Sequence, residues 1–464
     1  MEKVHIYHVN DLHSHFENWP KIASFLNRRK KEHDLAGEAY YVFDIGDHTD
    51  RFHPLTEASL GKINIKCLNE LHFDAATIGN NEGITLPHDA LDSLYDEAEF
   101  PVILSNLYDL NGSRPKWAKP YELIELGKTG ITAAVLGVTV FYEEFYRMLG
   151  WQLKDPFESL KEVLQEVKGK AEYIILLSHV GITDDEAIAA RFPEIDLILG
   201  SHTHHLLEKG RRVSNTLLCG AGKYGRYVGH VELDADKGKI NETASVWLME
   251  EEENDEKTEA ELQAFAAESA KTLDQPAAFV KEELTLDWFD DSPLGTLLAD
   301  ALKEWCGGEV AMVNAGMLLE PLPEGPVTIG DLHRICPHPI NPCKVELKGQ
   351  VIREVILQAI SKDMEELKLK GLGFRGKIMG KMVFSGIEVE TEVLEDGERH
   401  VKSIMACGKP LDPERVYAVA TVDMYTLGPL YPEIGRAKKK RFFMPEFLRD
   451  LLAWKLKKVS KQSS

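Results

Sequence analysis

The chain has no long apolar run, no paired cysteine motif and no excess of positive charge. None of its 464 residues lies in a stretch that approaches a membrane span, and no signal-type apolar segment follows Met1. The six cysteines are scattered, which favours reduced thiols in a cytoplasmic protein. The net charge of -22 leaves no basic face for a nucleic-acid backbone. We therefore expect a cytoplasmic protein with no membrane and no nucleic-acid partner.

The length of the chain predicts two domains of the α/β class. Residues 1–250 alternate strand-like and helix-like segments, which is the pattern of sheets covered by helices. The acidic, helix-favouring stretch 251–280 is typical of a linker helix. Residues 281–464 contain a second core and end in an amphipathic helix, which we expect to dock on its own domain. The oligomeric state stays open.

Polar side chains that can bind metal follow five separate predicted strands of the first domain. Because ligands in open α/β sheets lie beyond the carboxyl ends of the strands, we expect these turns to converge. The alternative is a set of unrelated polar turns, since any strand ends in polar residues, but five such turns in one domain favour a shared site. The candidate metal ligands are Asp11, His13, Asp47, Asn80, His179, His202 and His204.

The chemistry of these side chains indicates two divalent metal ions. Two aspartates, one asparagine and four histidines suit the borderline metals Mn, Fe, Co or Zn better than Mg or Ca alone. Two such ions, about 3.5–4 Å apart, can clamp a phosphate and lower the pKa of a water between them. Asp47 stands between the first pair and the histidines in the sequence, so we predict that it bridges both ions.

The order of these motifs resembles the calcineurin-like metallophosphoesterases. In the second domain, residues 294–301 and two short motifs at 314–316 and 339–341 are similar to the C-terminal domain of the 5′-nucleotidase family. The two resemblances cover nearly the whole chain. The motifs of the first domain are Asp11-x-His13, Gly46-Asp47, Gly79-Asn80-Asn81-Glu82, Ser178-His179-x-Gly181 and Gly200-x-His202-x-His204.

The resemblance implies an N-terminal four-layer αββα sandwich that carries the two metals, followed by an α/β (α+β) domain that holds the substrate. It implies hydrolysis of a phosphate ester by in-line attack of a metal-activated hydroxide, with a nucleoside 5′-monophosphate or a related nucleotide as the favoured substrate. The family typically has Gln where His204 stands, so the metal preference is expected to differ. If the ligand positions of the family are transferred to this sequence, one metal would bind Asp11, His13, Asp47 and His204, and the other would bind Asp47, Asn80, His179 and His202.

The catalytic His–Asp dyad of the family is missing from this chain. Asn81 and Ile84 occupy its positions, and an asparagine can donate a hydrogen bond to a phosphoryl oxygen but cannot act as an acid. A positioned general acid contributes about 10²–10⁴-fold in rate. We therefore expect a slow enzyme, one suited to good leaving groups, or one with a substitute acid. The histidines that could take this part, each of which could equally be a plain surface or core residue, are His15, His48, His88 and His205.

The second domain also departs from the family. The arginine that usually follows the motif at 314–316 is absent. Where the family has Pro-Phe-x-Asn, with a phenylalanine that stacks a base, this chain reads Pro337-His338-Pro339-Ile340-Asn341, and His338 is within reach of the same role. Tyr431 keeps an aromatic face in a stretch that is otherwise altered. The predicted substrate-binding residues are Asn314, His338, Asn341 and Tyr431.

Two further functions stay open beside the nucleotidase. The loss of the dyad is compatible with a catalytically weakened sensor that binds metal and nucleotide. It is also compatible with a phosphodiesterase for cyclic nucleotides or nucleotide sugars, whose better leaving groups need a general acid less. The retained metal ligands favour an enzyme over a sensor.

Overall fold

The chain divides into two compact units, Met1–Ser269 and Ala270–Ser464. A computed structural model describes residues 2–236, 239–393 and 399–462. A helix at Glu256–Leu273 crosses the division between the units. It lies within the predicted linker at 251–280, and the domain limits at 250 and 280 stay predictions.

The first unit contains most of the sheet structure. Its helices are α1 (Trp19–Ala36), α2 (Pro54–Ser59), α3 (Lys62–Glu70), α4 (Asn80–Thr85), α5 (His88–Asp92), α6 (Glu143–Met148), α7 (Pro156–Val167), α8 (Ile182–Arg191) and α9 (Glu256–Leu273). Its strands are β1 (Glu2–Val9), β2 (Ala39–Asp44), β3 (Ala75–Ala76), β4 (Val102–Ile103), β5 (Leu107–Asp109), β6 (Ala118–Lys119), β7 (Tyr121–Glu125), β8 (Thr132–Thr139), β9 (Trp151–Leu153), β10 (Tyr173–His179), β11 (Leu197–Gly200), β12 (Arg211–Val213), β13 (Thr216–Cys219), β14 (Tyr227–Asp236) and β15 (Lys239–Leu248).

Two sheets stack face to face in this unit. The first has the order β15-β14-β1-β2-β3-β4-β6, and the second has the order β12-β13-β11-β10-β8-β7. The alternating apolar residues of both sheets meet in one buried cluster, which includes Ile6 and Phe43 from the first sheet and Val135 and Ile175 from the second. The parallel strands β1 and β2 end side by side, with Val9 paired to Asp44, so the turns that follow them start at one edge.

Helices cover the outer faces of both sheets. The buried Phe25 of α1 packs edge-on against Tyr7 of β1, with ring centroids 5.9 Å apart. On the second sheet, Leu160 of α7 and Ile188 of α8 join a cluster with residues of β8 and β10. Helix α7 begins where Asp155 accepts hydrogen bonds from the backbone N–H of two residues of the first turn. The helix–sheet–sheet–helix layers confirm the predicted sandwich.

The second unit is a smaller α/β arrangement. Its main sheet has the order β20-β17-β24-β19-β25. Its helices are α10 (Pro293–Cys306), α11 (Ile329–Ile335), α12 (Gly349–Ala359), α13 (Lys362–Glu365), α14 (Pro432–Gly435) and α15 (Leu448–Gln462). Its strands are β16 (Pro276–Val280), β17 (Val310–Asn314), β18 (Gly325–Thr328), β19 (Pro342–Lys348), β20 (Met382–Ser385), β21 (Ile387–Val393), β22 (Arg399–Ala406), β23 (Lys409–Pro410), β24 (Val416–Val422) and β25 (Lys440–Phe442).

The C-terminal helix α15 docks on its own unit, as its amphipathic pattern predicts. Leu451 and Leu452 are fully buried, and Trp454 meets Trp305 of α10 with ring centroids 5.3 Å apart. Its apolar stripe is therefore covered by protein. Among the described residues, no helix has both the length and the apolar character that crossing a membrane requires.

Candidate metal centre

The seven predicted ligands lie at the carboxyl ends of strands from both sheets. Asp11 and His13 follow β1, Asp47 follows β2, and Asn80 is the first residue of α4, with three residues between it and the end of β3. His179 is the last residue of β10. The turn after β11 carries the remaining two, His202 and His204. The backbone N–H of His13 donates to the carbonyl of Asp47 at 2.8 Å, so the turns after β1 and β2 are held together.

One group of possible ligand atoms comes from Asp11, His13 and His204. His13 Nε2 lies 3.2 Å from His204 Nε2 and 3.8 Å from Asp11 Oδ1. His204 Nε2 lies 3.4 Å from the same Asp11 oxygen. All three atoms fall within 4.8 Å of one another, so one small cation between them could contact all three.

A second group comes from Asp47, His179 and His202, whose ligand atoms also fall within 4.8 Å of one another. His179 Nε2 lies 3.5 Å from Asp47 Oδ2. The same Asp47 oxygen lies 3.7 Å from His13 Nε2 of the first group. Asp47 is thus adjacent to both groups.

Asn80 supplies an unsatisfied acceptor. Within the described part of the chain, its buried Oδ1 has no hydrogen-bond partner. Leaving a buried polar atom unpaired costs about 1–3 kcal/mol, so native proteins seldom tolerate it without a reason. A bound cation would satisfy this oxygen, and the set of carboxylate, amide and imidazole donors therefore fits divalent metal ions.

The backbone is strained at five of the seven positions. Non-glycine residues seldom adopt a left-handed backbone, although Asp, Asn and His tolerate it best. Such strain costs on the order of 1–3 kcal/mol per residue and clusters at functional sites. The values of φ are 51° at Asp11, 48° at His13, 50° at Asp47, 72° at His202 and 59° at His204.

Gly79 permits a close approach at the centre. A Cβ atom at this position would overlap Asp47 Oδ1 and His179 Cε1. The turn before α4 can therefore lie against both side chains only because residue 79 has none. The glycine of this motif is a packing requirement of the centre.

Asn81 lies inside the centre, in contact with both ligand groups. Its backbone N–H donates to Asp47 Oδ1 at 2.7 Å, and its side-chain Nδ2 donates to Asp47 Oδ2 at 2.8 Å. The same Nδ2 lies 3.2 Å from His13 Nδ1. Asn81 can therefore position Asp47 and present an amide N–H at the centre.

Burial and mutual charge set the protonation of the cluster. Burial would raise the pKa of Asp47, but His179 and His13 outweigh it and hold the pKa well below its ordinary value. Burial would lower the pKa of His179, yet Asp47 and Asp11 raise that pKa to about 10. Burial and the neighbouring His179 lower the pKa of His202 to about 4. Asp47 is thus ionised at neutral pH, which is the form that binds a cation.

Several residues around the ligands were missed by the sequence reasoning. The Glu82 carboxylate accepts hydrogen bonds from the backbone N–H of Asp47, Thr49 and Gly79 at 2.8–3.0 Å. Glu82 was visible only as part of its motif. The others carried no sequence signal: Ser201 donates to Asp11 Oδ2 at 2.7 Å, Asp50 lies 3.3 Å from His13 Nδ1, and the Tyr142 hydroxyl lies 3.2 Å from His202 Nε2.

The four candidate substitute acids lie in different places. The His15 ring packs 3.9 Å from the ring of Tyr224, which itself lies 5.8 Å from the His13 ring. His48 is buried and bonded to Asn64, and burial lowers its pKa to about 3. His88 stacks on Trp151 at 4.0 Å, and the Nδ1 of His205 bonds Thr203. Of the four, His15 is the one whose ring contacts Tyr224, an aromatic residue that in turn contacts the proposed ligand His13.

The predicted substrate residues of the second unit are buried and already bonded. Asn314 Nδ2 donates to the Gly380 carbonyl at 2.7 Å, and its Oδ1 accepts from the Tyr431 hydroxyl at 3.3 Å. Asn341 Nδ2 donates to the Glu446 carbonyl at 2.8 Å. The structure thus brings Asn314 and Tyr431 together, but it gives their polar atoms internal partners.

His338 is the fourth of these residues. It accepts a hydrogen bond from the backbone N–H of Arg375 at 2.9 Å and stacks on Phe374, with the ring planes 2° from parallel. Burial and Arg375 lower its pKa to about 3, so the imidazole is neutral. A role for these four side chains in substrate binding stays a prediction.

Comparison with known proteins matches both units. Residues 4–206 match the calcineurin-like phosphoesterase family, and residues 270–429 match the C-terminal domain of the 5′-nucleotidases. The chain is 55% identical over 459 residues to YunD of Bacillus subtilis, described as an uncharacterized metallophosphoesterase. That match covers 98% of this chain and 99% of YunD.

Solved structures share the fold at low sequence identity. The 5′-nucleotidase precursor of Thermus thermophilus has a TM-score of 0.61 at 21% identity, and the match covers 98% of this chain and 96% of that one. The NAD nucleotidase of Haemophilus influenzae has a TM-score of 0.67 at 16% identity, with 99% and 96% covered. At these identities the similarity establishes the fold alone.

Proposed function

The chain belongs to the calcineurin-like metallophosphoesterases and carries the C-terminal domain of the 5′-nucleotidases, and from this premise we propose that it hydrolyses nucleoside 5′-monophosphates or related nucleotides with two divalent metal ions. Hydrolysis of a phosphate ester follows from the family. The substrate, the number of ions and the residues that hold them are the proposal. The observation that carries it is the pair of ligand groups that meet at Asp47.

Each ion would have four protein ligands, with Asp47 common to both. The short distances from Asp47 Oδ2 to His13 and His179 support this assignment. When bound, the ions supply Lewis-acid activation of water and neutralise charge on the phosphate. The donor set favours Mn, Fe, Co or Zn. One ion would be held by Asp11, His13, Asp47 and His204, and the other by Asp47, Asn80, His179 and His202.

The residues of the chain orient these ligands before any ion binds. His179 Nδ1 donates to the carbonyl of Ile45 at 2.7 Å, so in the neutral ring the lone pair is on Nε2, which faces Asp47. Ser201 donates to Asp11 and lies 2.9 Å from the same Nδ1. These contacts fix the direction in which each ligand points, which favours binding of the metal.

Asn81 is the proposed substrate-contacting residue of the first unit. Its amide N–H lies at the centre and can donate to a phosphoryl oxygen, which stabilises negative charge there. It holds no proton that it could give to a leaving oxygen. The leaving group must therefore depart as an anion or take its proton from another source.

This property of Asn81 favours a second candidate activity. Nucleotide sugars release a phosphate, which is a better leaving group than the ribose oxygen of a nucleoside monophosphate, so they depend less on an acid. We propose phosphodiester hydrolysis as the alternative. A clear preference for monoesters in a direct comparison of rates would contradict it.

Product formation from a substrate panel, separated by chromatography, tests the proposal: monoesters give inorganic phosphate, whereas cyclic nucleotides and nucleotide sugars give nucleoside monophosphates. The purified protein, loaded in turn with Mn, Zn, Fe or Co, is given nucleoside monophosphates, cyclic nucleotides and nucleotide sugars. We expect metal-dependent turnover that Asp47→Ala abolishes and that the fully exposed control Asp89→Ala leaves unchanged. Unchanged turnover in Asp47→Ala would overturn the bridging role. Nucleotide binding without turnover of any substrate would contradict the enzymatic function and favour a sensor.

We also propose a cytoplasmic location. All six cysteines are free thiols, and five of them are buried. Free thiols suit a reducing compartment. Fractionation of cells that express the untagged protein checks this proposal.

A further inference from the structure

A second cluster of metal-binding side chains lies near the amino end of β1. His5 is on β1, His33 is in the last turn of α1, and Glu38 follows the end of that helix. Gly37 adopts a left-handed backbone with φ of 70°, and the N–H of Glu38 bonds the His33 carbonyl at 3.0 Å. This turn places the Glu38 carboxylate beside both imidazoles. Four residue steps of extended chain, about 13 Å, separate His5 from Val9 at the end of β1, and Asp11 lies in the turn beyond it.

The spacing of the three side chains matches a small coordination sphere. Glu38 Oε2 lies 3.1 Å from His5 Nε2 and 3.2 Å from His33 Nδ1. All three ligand atoms fall within 4.8 Å of one another. Zinc binds nitrogen and carboxylate oxygen at about 2.0–2.2 Å in a tetrahedron, which separates neighbouring ligand atoms by roughly 3.4 Å. A small shift of the side chains would therefore admit an ion.

The far nitrogen of each imidazole already has a partner. His5 Nδ1 lies 3.0 Å from His230 Nε2, and His33 Nε2 lies 2.8 Å from the Tyr7 hydroxyl. Metal-ligating histidines almost always have such a contact, because it sets the ring tautomer and leaves the near nitrogen free to bind. Here both contacts are in place on buried residues. When each ring carries its proton on the far nitrogen, both near nitrogens can point lone pairs at an ion.

We propose that His5, His33 and Glu38 bind one divalent cation of the zinc class, at a site separate from the phosphoesterase centre. The Glu38 side chain is 31% exposed, whereas the two histidine side chains are 3% and 4% exposed. Solvent therefore reaches the site past Glu38 and supplies the remaining ligand. The ion joins the end of α1 to β1, so its role is structural.

The surrounding charges suit a cation. The carboxyl end of α1 presents the negative end of its helix dipole. Glu232 Oε2 lies 3.9 Å from His5 Nδ1, and the other oxygen of this carboxylate pairs with Lys3 at 2.7 Å. The nearby Arg29 guanidinium opposes a cation, but it bonds the Tyr7 hydroxyl at 3.0 Å and Glu32 at 2.6 Å, so it is already paired.

The protonation of the cluster also suits a metal. Burial and His33 lower the pKa of His5 below its ordinary value, although Glu38 opposes them. Partial burial would raise the pKa of Glu38, but the hydrogen bonds from His33 and His5 outweigh it and lower the pKa. Burial and His5 lower the pKa of His230 to about 3. An ion would displace the protons that the near nitrogens share with Glu38, and it would then bind two neutral imidazoles and an ionised carboxylate.

Metal content, measured by mass spectrometry after dialysis of the whole protein against Zn²⁺, tests the site. We expect Glu38→Gln to hold one equivalent less zinc than the wild type. The control Glu97→Gln, an exposed glutamate of the same unit, keeps the wild-type content. Glu38→Gln also keeps the metal-dependent phosphatase activity, since its site is separate. Equal zinc in Glu38→Gln and wild type would overturn the proposal.

A second measurement covers the case in which Glu38→Gln does not fold. Asp47→Ala removes a ligand of the main centre and leaves the three residues of this site intact. We expect Co²⁺ added to that variant to give the visible absorption of tetrahedral cobalt with histidine ligands, and to raise the melting temperature. His33→Asn in the same background should lose the part of both signals that one Co²⁺ ion contributes, because Asp11, His13 and His204 of the main centre remain. Equal signals in the two proteins would contradict the site. Absence of any such absorption in Asp47→Ala would contradict the site.

Discussion

Asn81 donates its side-chain amide to Asp47 Oδ2 at 2.8 Å, so the residue that replaces the family's acid is bonded to the proposed bridging carboxylate. This contact ties Asn81 to the proposed metal centre. A substitution at Asn81 is therefore expected to change the position of Asp47 as well.

Restoring the missing dyad should change how the rate depends on the leaving group. We expect the double variant Asn81→His, Ile84→Asp to hydrolyse nucleoside monophosphates at least about tenfold faster, because a general acid contributes about 10²–10⁴-fold when well placed. The measurement is kcat against the pKa of the leaving alcohol in a series of phenyl phosphates. The wild type should show the steeper dependence. A steep line in both proteins, or an equal gain from Ile84→Asp alone, would contradict the assignment.

Removing the negative charge of Glu82 should loosen the metal centre. Its carboxylate accepts three backbone N–H groups, and the amide group of Gln cannot accept all of them without a clash of donors. We expect Glu82→Gln to lower the free energy of unfolding by about 1–3 kcal/mol and to weaken metal binding about 10–100-fold. Urea unfolding and calorimetric titration with Mn²⁺ measure the two effects. The exposed control Glu97→Gln should change neither, and wild-type metal affinity in Glu82→Gln would refute the idea.

Replacing His204 should shift the metal preference. The family typically has Gln at this position, and an amide oxygen is a harder ligand than an imidazole nitrogen. We expect His204→Gln to lose activity with Zn²⁺ relative to Mn²⁺, and His205→Gln, at the exposed neighbour, to keep the wild-type ratio. The test is the ratio of kcat/KM with the two metals. An unchanged ratio in His204→Gln would exclude His204 as a ligand.

Asp423 should make the second unit less stable as the pH rises. Burial raises the pKa of Asp423 to about 7 in the folded protein, from an ordinary value of 3.8. The folded state therefore binds this proton more tightly than the unfolded state, and its contribution to stability is present below about pH 4 and lost as the pH rises through about 7.

The variant Asp423→Asn checks this directly. Its Oδ1 can still accept from the N–H of Met424, so the turn is kept while the charge is removed. We expect a higher urea midpoint than the wild type above the folded pKa and little difference at acidic pH. The exposed control Asp363→Asn should follow the wild type at every pH. A difference in urea midpoint between Asp423→Asn and the wild type that is the same at every pH would show that the charge of Asp423 does not affect stability.

The ligands of the main centre could be predicted because each one lies at the end of a strand or within four residues after it. Parallel strands end at one edge of a sheet. Residues far apart along the chain, such as Asp11 and His202, can therefore be expected to meet there without a prediction of individual contacts. Their supporting residues could not be predicted in the same way. Ser201 and Asp50 act through hydrogen bonds whose partners depend on the turns around them.

The second unit was harder to predict for a different reason. The residues chosen there, such as Asn314 and His338, are polar types at motif positions, and their type does not reveal whether they face a ligand or the interior. The structure buries both. The cluster at His5, His33 and Glu38 was also missed, because a β-strand and the end of a helix supply it without a recognisable spacing.

The left-handed turns at Asp11, His13, Asp47, His202 and His204 restrict which amino acids these positions accept. If nothing but ease of folding were selected, such turns would drift toward glycine or asparagine, which adopt them with the least strain. This chain has aspartate or histidine at all five. The residue types at these five turns agree with the proposed ligand roles, and we expect a relative without the chemistry to have glycine in these places.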